Sequence, residues 1–119
     1  MTRASLPRAA RLTRAADLRR CLAHGRRRRT EHLDMIWMEN TTGHARIGLI
    51  VAKHQSSAVA RNRLRRRLRE IWRRAVRAAL PALPAWDVIV RARREAYQAT
   101  FAHLRSEMLL WAEQVGGKR

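Results

Sequence analysis

Between Arg61 and Arg74 the chain reads "RNRLRRRLREIWRR", eight arginines in fourteen residues. So much like charge leaves few ways to bury anything. At about 100° per residue, with Leu64 at zero, Leu68, Ile71, Trp72, Ala75 and Ala79 fall in one stripe roughly 100° wide. The segment is therefore expected to be a helix with that stripe inside and its arginines outside. Ser57 can cap it at Ala58, and good helix formers continue to about Leu80, before Pro81 and Pro84.

The arginines divide into two flanks. Arg65, Asn62, Arg69, Arg73, Arg66 and Arg77 lie on one side with no carboxylate among them, and Arg63, Arg67 and Arg74 lie on the other beside Glu70. Glu70 and Arg74 have the favourable i, i+4 order, whereas Arg65 with Arg69, and Arg69 with Arg73, are like-charge pairs costing a few tenths of a kcal/mol each. A merely solvated helix would alternate signs. A phosphate backbone alongside would turn the repulsion into attraction with counterion release.

The rest of the composition agrees. The formal net charge is +18 in 119 residues, and only Lys53 and Lys118 among the 27 basic residues are not arginine. Genome base composition can favour arginine over lysine, but it does not create excess positive charge. Self-repulsion on this scale implies a polyanionic partner, and arginine's planar fork suits phosphates and bases. The length fits a single domain. One cysteine, Cys21, excludes an internal disulfide and a cysteine-rich zinc site and fits a reducing cytoplasm. No apolar run is long enough to span a bilayer, so no membrane partner is expected.

Around the arginine helix the pattern is α+β. "TRAADLRRCLAH", from Thr13 to His24, predicts a first helix with Leu18, Cys21 and Leu22 on its apolar face and Gly25 as its stop. "RRRR" (Arg26 to Arg29) reads as exposed connection. "LDMIWME" and "ARIGLIVAK" read as strands around the turn "NTTGH", an expected antiparallel pair, and "WDVIVRA" as a third. "RREAYQA" leads to a last helix capped by Thr100, with Phe101, Leu104, Met108, Trp111 and Ala112 on its core face. Residues 1–12 read as a basic N-terminal arm and 113–119 as a frayed tail. The first sixteen residues also have transit-peptide composition. His24, His32, His44, His54 and His103 show no metal-ligand spacing and read as surface or edge residues, and no acidic pair is set up for general acid and base work. No catalytic residue and no metal site is predicted.

"AVARNRLRRRLREIWR" resembles the signature of the bacterial ribonuclease P protein subunit, a pattern of the form A-V-x-R-N-x-x-K-R-x-x-R-E. Ala58, Val59, Arg61, Asn62, Arg65 in the lysine place, Arg66, Arg69 and Glu70 fall in register. "RIGLIVAK", "DVIVRAR" and "TFAHLRSEM" resemble the family's flanking strands and final helix. "LPRAARLTRAADLRR" resembles its N-terminal segment, which favours an arm of the domain over a transit peptide.

The resemblance implies a small single domain, α-β-β-(β)-α-β-α with a central sheet and a left-handed βαβ crossover, where the usual expectation is right-handed. It implies a non-catalytic subunit of an endoribonuclease: a catalytic RNA subunit holds magnesium ions and cuts precursor tRNA at the mature 5′ end, while one protein per RNA, monomeric, binds that RNA and the 5′ leader. Arg61, Asn62, Arg65, Arg66 and Arg69, then Lys53 and Arg73, become the expected RNA contacts. The family usually has aromatic residues in its first helix (D-F-x-x-V-F) and first strand, forming part of a leader cleft. Leu18 and Leu22 stand at the helix positions, and the strand position is Ile36 by ungapped counting from Gly25, or Trp37 one residue on. A one-residue slip reverses strand face, so both remain candidates. His54 and Ser56 depart from the basic residue and glycine common after the strand's lysine. Two rival classes use the same helix differently: a basic structural protein of the ribosome or nucleoid, and a DNA-binding regulator, for which no helix-turn-helix is evident.

Overall fold

The computed structural model describes residues 6–79 and 84–116. In chain order these form helix α1 (Ala15–His24), strands β1 (Arg26–Arg29), β2 (Leu33–Glu39) and β3 (Arg46–Val51), helix α2 (Ala58–Ile71), strand β4 (Trp86–Ala92) and helix α3 (Phe101–Gly116). Short 3-10 turns at Arg8–Ala10 and Arg94–Gln98 precede α1 and α3. The four strands make one sheet in the order β1-β2-β4-β3, antiparallel except for the parallel β3–β4 pair that α2 connects.

Two expectations about the sheet fail. "RRRR" is a strand, not a connection; pairing Arg27 with Ile36 and Arg28 with Met35 extends the sheet by a fully exposed edge. And β2 does not pair with β3, because β4 lies between them. The reason is burial: Val88, Ile89 and Val90 are all fully buried, which a strand achieves only at the centre of a sheet covered on both faces. A turn signal after β2 says that the chain reverses, not which strand it meets.

α2 and α3 cover one face. Their contact residues include Leu64, Leu68, Ile71, Leu104 and Met108, packed on Met35, Trp37, Val88 and Val90. All four tryptophans of the chain run through this layer: Trp37 packs against Trp86 and edge-on against Trp111, at centroid distances of 6.4 and 5.5 Å, and Trp111 lies 6.4 Å from Trp72. On the opposite face α1 closes a smaller core of Leu12, Cys21, Ile36 and Ile89. Burial pushes the Cys21 thiol up to about 11, helped by the negative charge of Asp87, so it stays protonated and inert.

The helix starts are legible and the ends less so. The Ser57 hydroxyl accepts from Ala60 N–H at 3.0 Å and that of Thr100 from His103 N–H at 3.1 Å, both as N-caps. After Ile71 the long helix widens into a π turn, Trp72–Val76, closed by Arg77 N–H to the Trp72 carbonyl, then ends as Arg77–Ala79. The extra residue in the turn carries Val76, which lies outside the predicted stripe, into full burial. The Ala79 side chain and Leu80 lie outside the described residues. Phe101 is 43% exposed and does not join the core face of α3. That helix continues through 113–116, where a frayed tail was expected.

Gly25 ends α1 by close packing, not by a left-handed turn. Its φ is −71°, and a Cβ there would stand 2.6 Å from the Cys21 carbonyl oxygen. His32 is buried, not a surface residue. Its Nδ1 pairs with Glu107, which also accepts from the Thr30 hydroxyl and, at 3.0 Å, from His32 N–H. Burial pushes the Glu107 carboxyl up, but these hydrogen bonds outweigh it and hold it below the usual range. This knot ties α3 to the turn between β1 and β2.

Candidate RNA interface

Three pieces of chain meet along the outer edge of β3. The segment before α1 runs parallel to that edge, with Leu12 N–H donating to the Ile47 carbonyl at 2.8 Å and Arg11 bridged to Ile47. It is anchored at both ends by Leu6 and Leu12, each 2% exposed, and Leu6 belongs to the core under α2 while Leu12 belongs to the core under α1. The part of the expected arm that the structure describes is thus packed on the sheet. Gly48 makes this possible, since a Cβ there would lie 3.1 Å from both the Leu12 carbonyl oxygen and Leu18 Cδ2.

Between this segment, β3, α1 and the carboxylate-poor flank of α2 lies a groove of about 240 Å³, lined by Leu12, Thr13, Leu18, Gly48, Arg65 and Arg69 among others. The groove joins the leucine and isoleucine side chains of its floor to three arginines, Arg65 and Arg69 from α2 and Arg11, whose guanidinium donates to the Leu6 carbonyl at 2.9 and 3.1 Å. Among the described residues none of Lys53, Arg61, Arg65, Arg66 or Arg69 has a carboxylate partner. Arg61 Nε is buried and makes no hydrogen bond. Leaving such a donor unmade costs about 1–3 kcal/mol, which an incoming anionic oxygen would recover by a shift of the side chain. Asn62 and Arg66 are exposed on the same helix.

Arg73 behaves differently from the sequence expectation. Its guanidinium donates to Glu70 at 2.9 and 3.3 Å, while Arg74 pairs with the same carboxylate at 3.1 Å. Glu70 thus neutralises a member of each flank. On this flank Arg65, Arg69, Arg66 and Arg77 remain without a carboxylate partner among the described residues, and so do Arg63 and Arg67 on the other; what sets Arg65 and Arg69 apart is that they line the groove.

Lys53 is exposed just past β3 and does not line the groove. The loop after it turns through His54 and Gln55 at φ of 48° and 67°, closed by Ser56 N–H to the Lys53 carbonyl at 2.7 Å. The left-handed residues are not Ser56, so the loss of glycine there costs nothing in backbone strain. The Tyr97 hydroxyl donates to the Ala52 carbonyl and braces this loop.

The four cleft candidates separate by face. Leu18 and Leu22 of α1 pack with Ile36, which is fully buried beneath them, and of these only Leu18 reaches the groove. Trp37 stands on the opposite face among the other tryptophans. Ungapped counting thus picks the residue of β2 that lies on the same face as Leu18 and Leu22. Sequence reasoning missed Arg11, Thr13 and Gly48 as lining residues; the only signal for Gly48 was a glycine inside a strand pattern, which often marks close backbone approach.

Comparison with known proteins gives a consistent result. The profile of the family described as Ribonuclease P matches residues 6–115. The ribonuclease P protein component of Syntrophobacter fumaroxidans is 39% identical over 93 residues, covering 78% of this chain and 76% of the relative. That of Acidothermus cellulolyticus is 36% identical over 105 residues, covering 86% and 84%. The solved RNase P protein of Staphylococcus aureus superposes with a TM-score of 0.78 at 27% identity, over 92% of this chain and 99% of the other.

Proposed function

The chain belongs to the ribonuclease P protein family, and from that premise we propose how it works as the protein component of this ribonucleoprotein endoribonuclease. Its partner is the RNA subunit. The finer reading is that the groove beside Leu18 receives the single-stranded 5′ leader of precursor tRNA. Arg65 and Arg69 contact phosphates at its rim, and Arg61, Arg66 and Lys53 contact phosphates beyond it. Asn62 orients a neighbouring group, and Arg73, held by Glu70, positions the helix more than it grips RNA. The observation that carries this reading is the row of guanidinium groups without carboxylate partners on a groove whose floor is apolar. Such a surface suits flexible single strands, which offer both phosphate and exposed base.

The magnesium ions of the reaction are assigned to the RNA subunit and substrate. Among the described residues Glu31, His32 and Glu107 could offer three ligand atoms to a cation. Glu107, however, is committed to His32 and Thr30, away from the groove. One protein per RNA, a cytoplasmic location and a left-handed β3–α2–β4 crossover complete the proposal. Among the described residues no helix is long and apolar enough to cross a membrane.

Reconstitution at low magnesium tests it. The purified chain, added to a bacterial ribonuclease P RNA, is expected to stimulate cleavage of precursor tRNA at the mature 5′ junction, and rigorously RNA-free protein is expected to cut nothing. Tight RNA binding without stimulation would favour the rival, a basic structural protein of the ribosome or nucleoid.

A further inference from the structure

Strand β1 consists of four consecutive exposed arginines on the edge of the sheet opposite β3. Charge on an edge strand prevents edge-to-edge pairing, and that alone would account for arginines pointing anywhere. Here the register sets Arg26 opposite Trp37 and Arg28 opposite Met35, so both side chains stand on the face that carries the tryptophans. Between β1 and the last turn of α3 a pocket of about 560 Å³ opens there. Arg26, Arg27, Arg28, Trp37, Trp86 and Gln114 line it, and no carboxylate does. It is shallow and open to solvent.

The chemistry of the lining is specific. Arg27 and Arg28 donate to the Leu22 carbonyl and to Gln114 Oε1, while the Arg26 guanidinium has no hydrogen-bond partner among the described residues. Trp37 is 4% exposed, and its indole Nε1 is buried without an acceptor. Apolar indole edges, a side-chain amide that can donate and accept, and a cationic rim match one unstacked base with a phosphate on either side. Arg26 and Arg28 are two residues apart on a strand, about 6.6 Å at 3.3 Å each, a stride close to that of successive phosphates in an extended strand.

We propose that this pocket is a second RNA site, which takes one base of a single-stranded segment against Trp37, Trp86 and Gln114 and its flanking phosphates on Arg26 and Arg28. The inference rests on the reading of RNA as the partner. It adds a contact on the far edge of the sheet, separate from the groove beside α2, so one RNA can be held on both sides of the domain.

A short oligouridylate carrying 4-thiouridine tests both sites on the full chain. Photo-crosslinks are expected on peptides containing Trp86 or Gln114 as well as on α2. Arg26→Gln with Arg28→Gln should weaken binding and lower the salt slope by roughly 1.4, two contacts at about 0.7 each. Its loss should add to that of Arg65→Gln with Arg69→Gln, with thermal melting showing both variants folded. Unchanged affinity and slope in the folded β1 variant, with crosslinks on α2 alone, would overturn the second site. Self-association of that variant, if nothing else changes, would assign the arginines to edge protection. Equal loss of binding to vesicles of anionic lipid would also overturn it, by showing a surface that recognises charge without RNA. Failure of the Arg65 and Arg69 variant to lose affinity would instead strike at the RNA groove itself.

Discussion

Gly25 and Gly48 are small because backbone passes over them, not because their own dihedrals demand it. At Gly25 the obstructing atom is a carbonyl oxygen in the first helix, 2.6 Å from where a Cβ would sit, and a backbone atom there cannot step aside. Gly25→Ala is therefore expected to cost about 1–3 kcal/mol, the usual range for overpacking, read by urea denaturation. Leu18 gives the opposite case, because it borders open space. Leu18→Phe is expected to tighten binding of a leader-bearing substrate by about 1–2 kcal/mol at high salt, where stacking survives and phosphate contacts are screened. The salt slope should stay unchanged. Leu22→Phe, which packs on fully buried Ile36 and Cys21, should destabilise the fold without that gain. Equal gains at both positions would move the cleft.

At the scale of elements, α2 does two jobs on opposite sides of one cylinder. Its apolar stripe holds it to the sheet while Arg65 and Arg69 repel each other at i, i+4 spacing. Arg65→Ala with Arg69→Ala should thus weaken RNA binding and leave stability unchanged or a few tenths of a kcal/mol higher. Arg73→Ala with Arg74→Ala removes charges already shared with Glu70 and should weaken binding less. Equal losses would mean that total charge decides and arrangement does not.

α3 is tied down by Glu107, whose folded pKa lies below the ordinary value of 4.5. A depressed carboxylate contributes stability that is fully present above the unfolded value and lost as pH falls through the folded one. Glu107→Gln is expected to lower stability near neutrality by about 1.5–3 kcal/mol, the worth of hydrogen bonds to a charged group. The difference from the parent should close as the solution is acidified. Melting curves across that range check both the size and the sign.

For the whole molecule, the segment before α1 is the piece that joins the two cores. Leu6 reaches one, Leu12 the other, and the backbone between them covers the edge of β3. Removing residues 1–12 should cost up to about 3–6 kcal/mol, from two fully buried leucines at roughly 1.5–3 each. It should also expose a strand edge, so self-association in sedimentation is expected alongside the lower midpoint. A truncated chain that stays monomeric and equally stable would reduce the segment to a tether.

The sequence by itself determined the helix starts, the α+β class, the buried stripe of α2 and the polyanionic partner. Each is a local matter: Ser57 and Thr100 cap within one turn, the stripe follows from a fixed rotation per residue, and arginine-rich segments carry their charge wherever they fold. The family signature over Ala58 to Glu70 is equally local, and with it came the expected RNA contacts. Tertiary structure alone decided where those elements meet. β4 takes the centre of the sheet because Val88, Ile89 and Val90 need cover on both faces, a competition between strands distant in sequence. The π turn brings into the core Val76, which a fixed rotation per residue leaves outside the stripe. Trp37 faces away from Leu18 because which face of a strand meets which layer depends on what packs opposite, whereas the pairs of Arg73 and Arg74 with Glu70 are local i, i+3 and i, i+4 contacts. Local periodicity fixes which face of an element is apolar; the long-range packing of those faces fixes which charged groups are left for RNA.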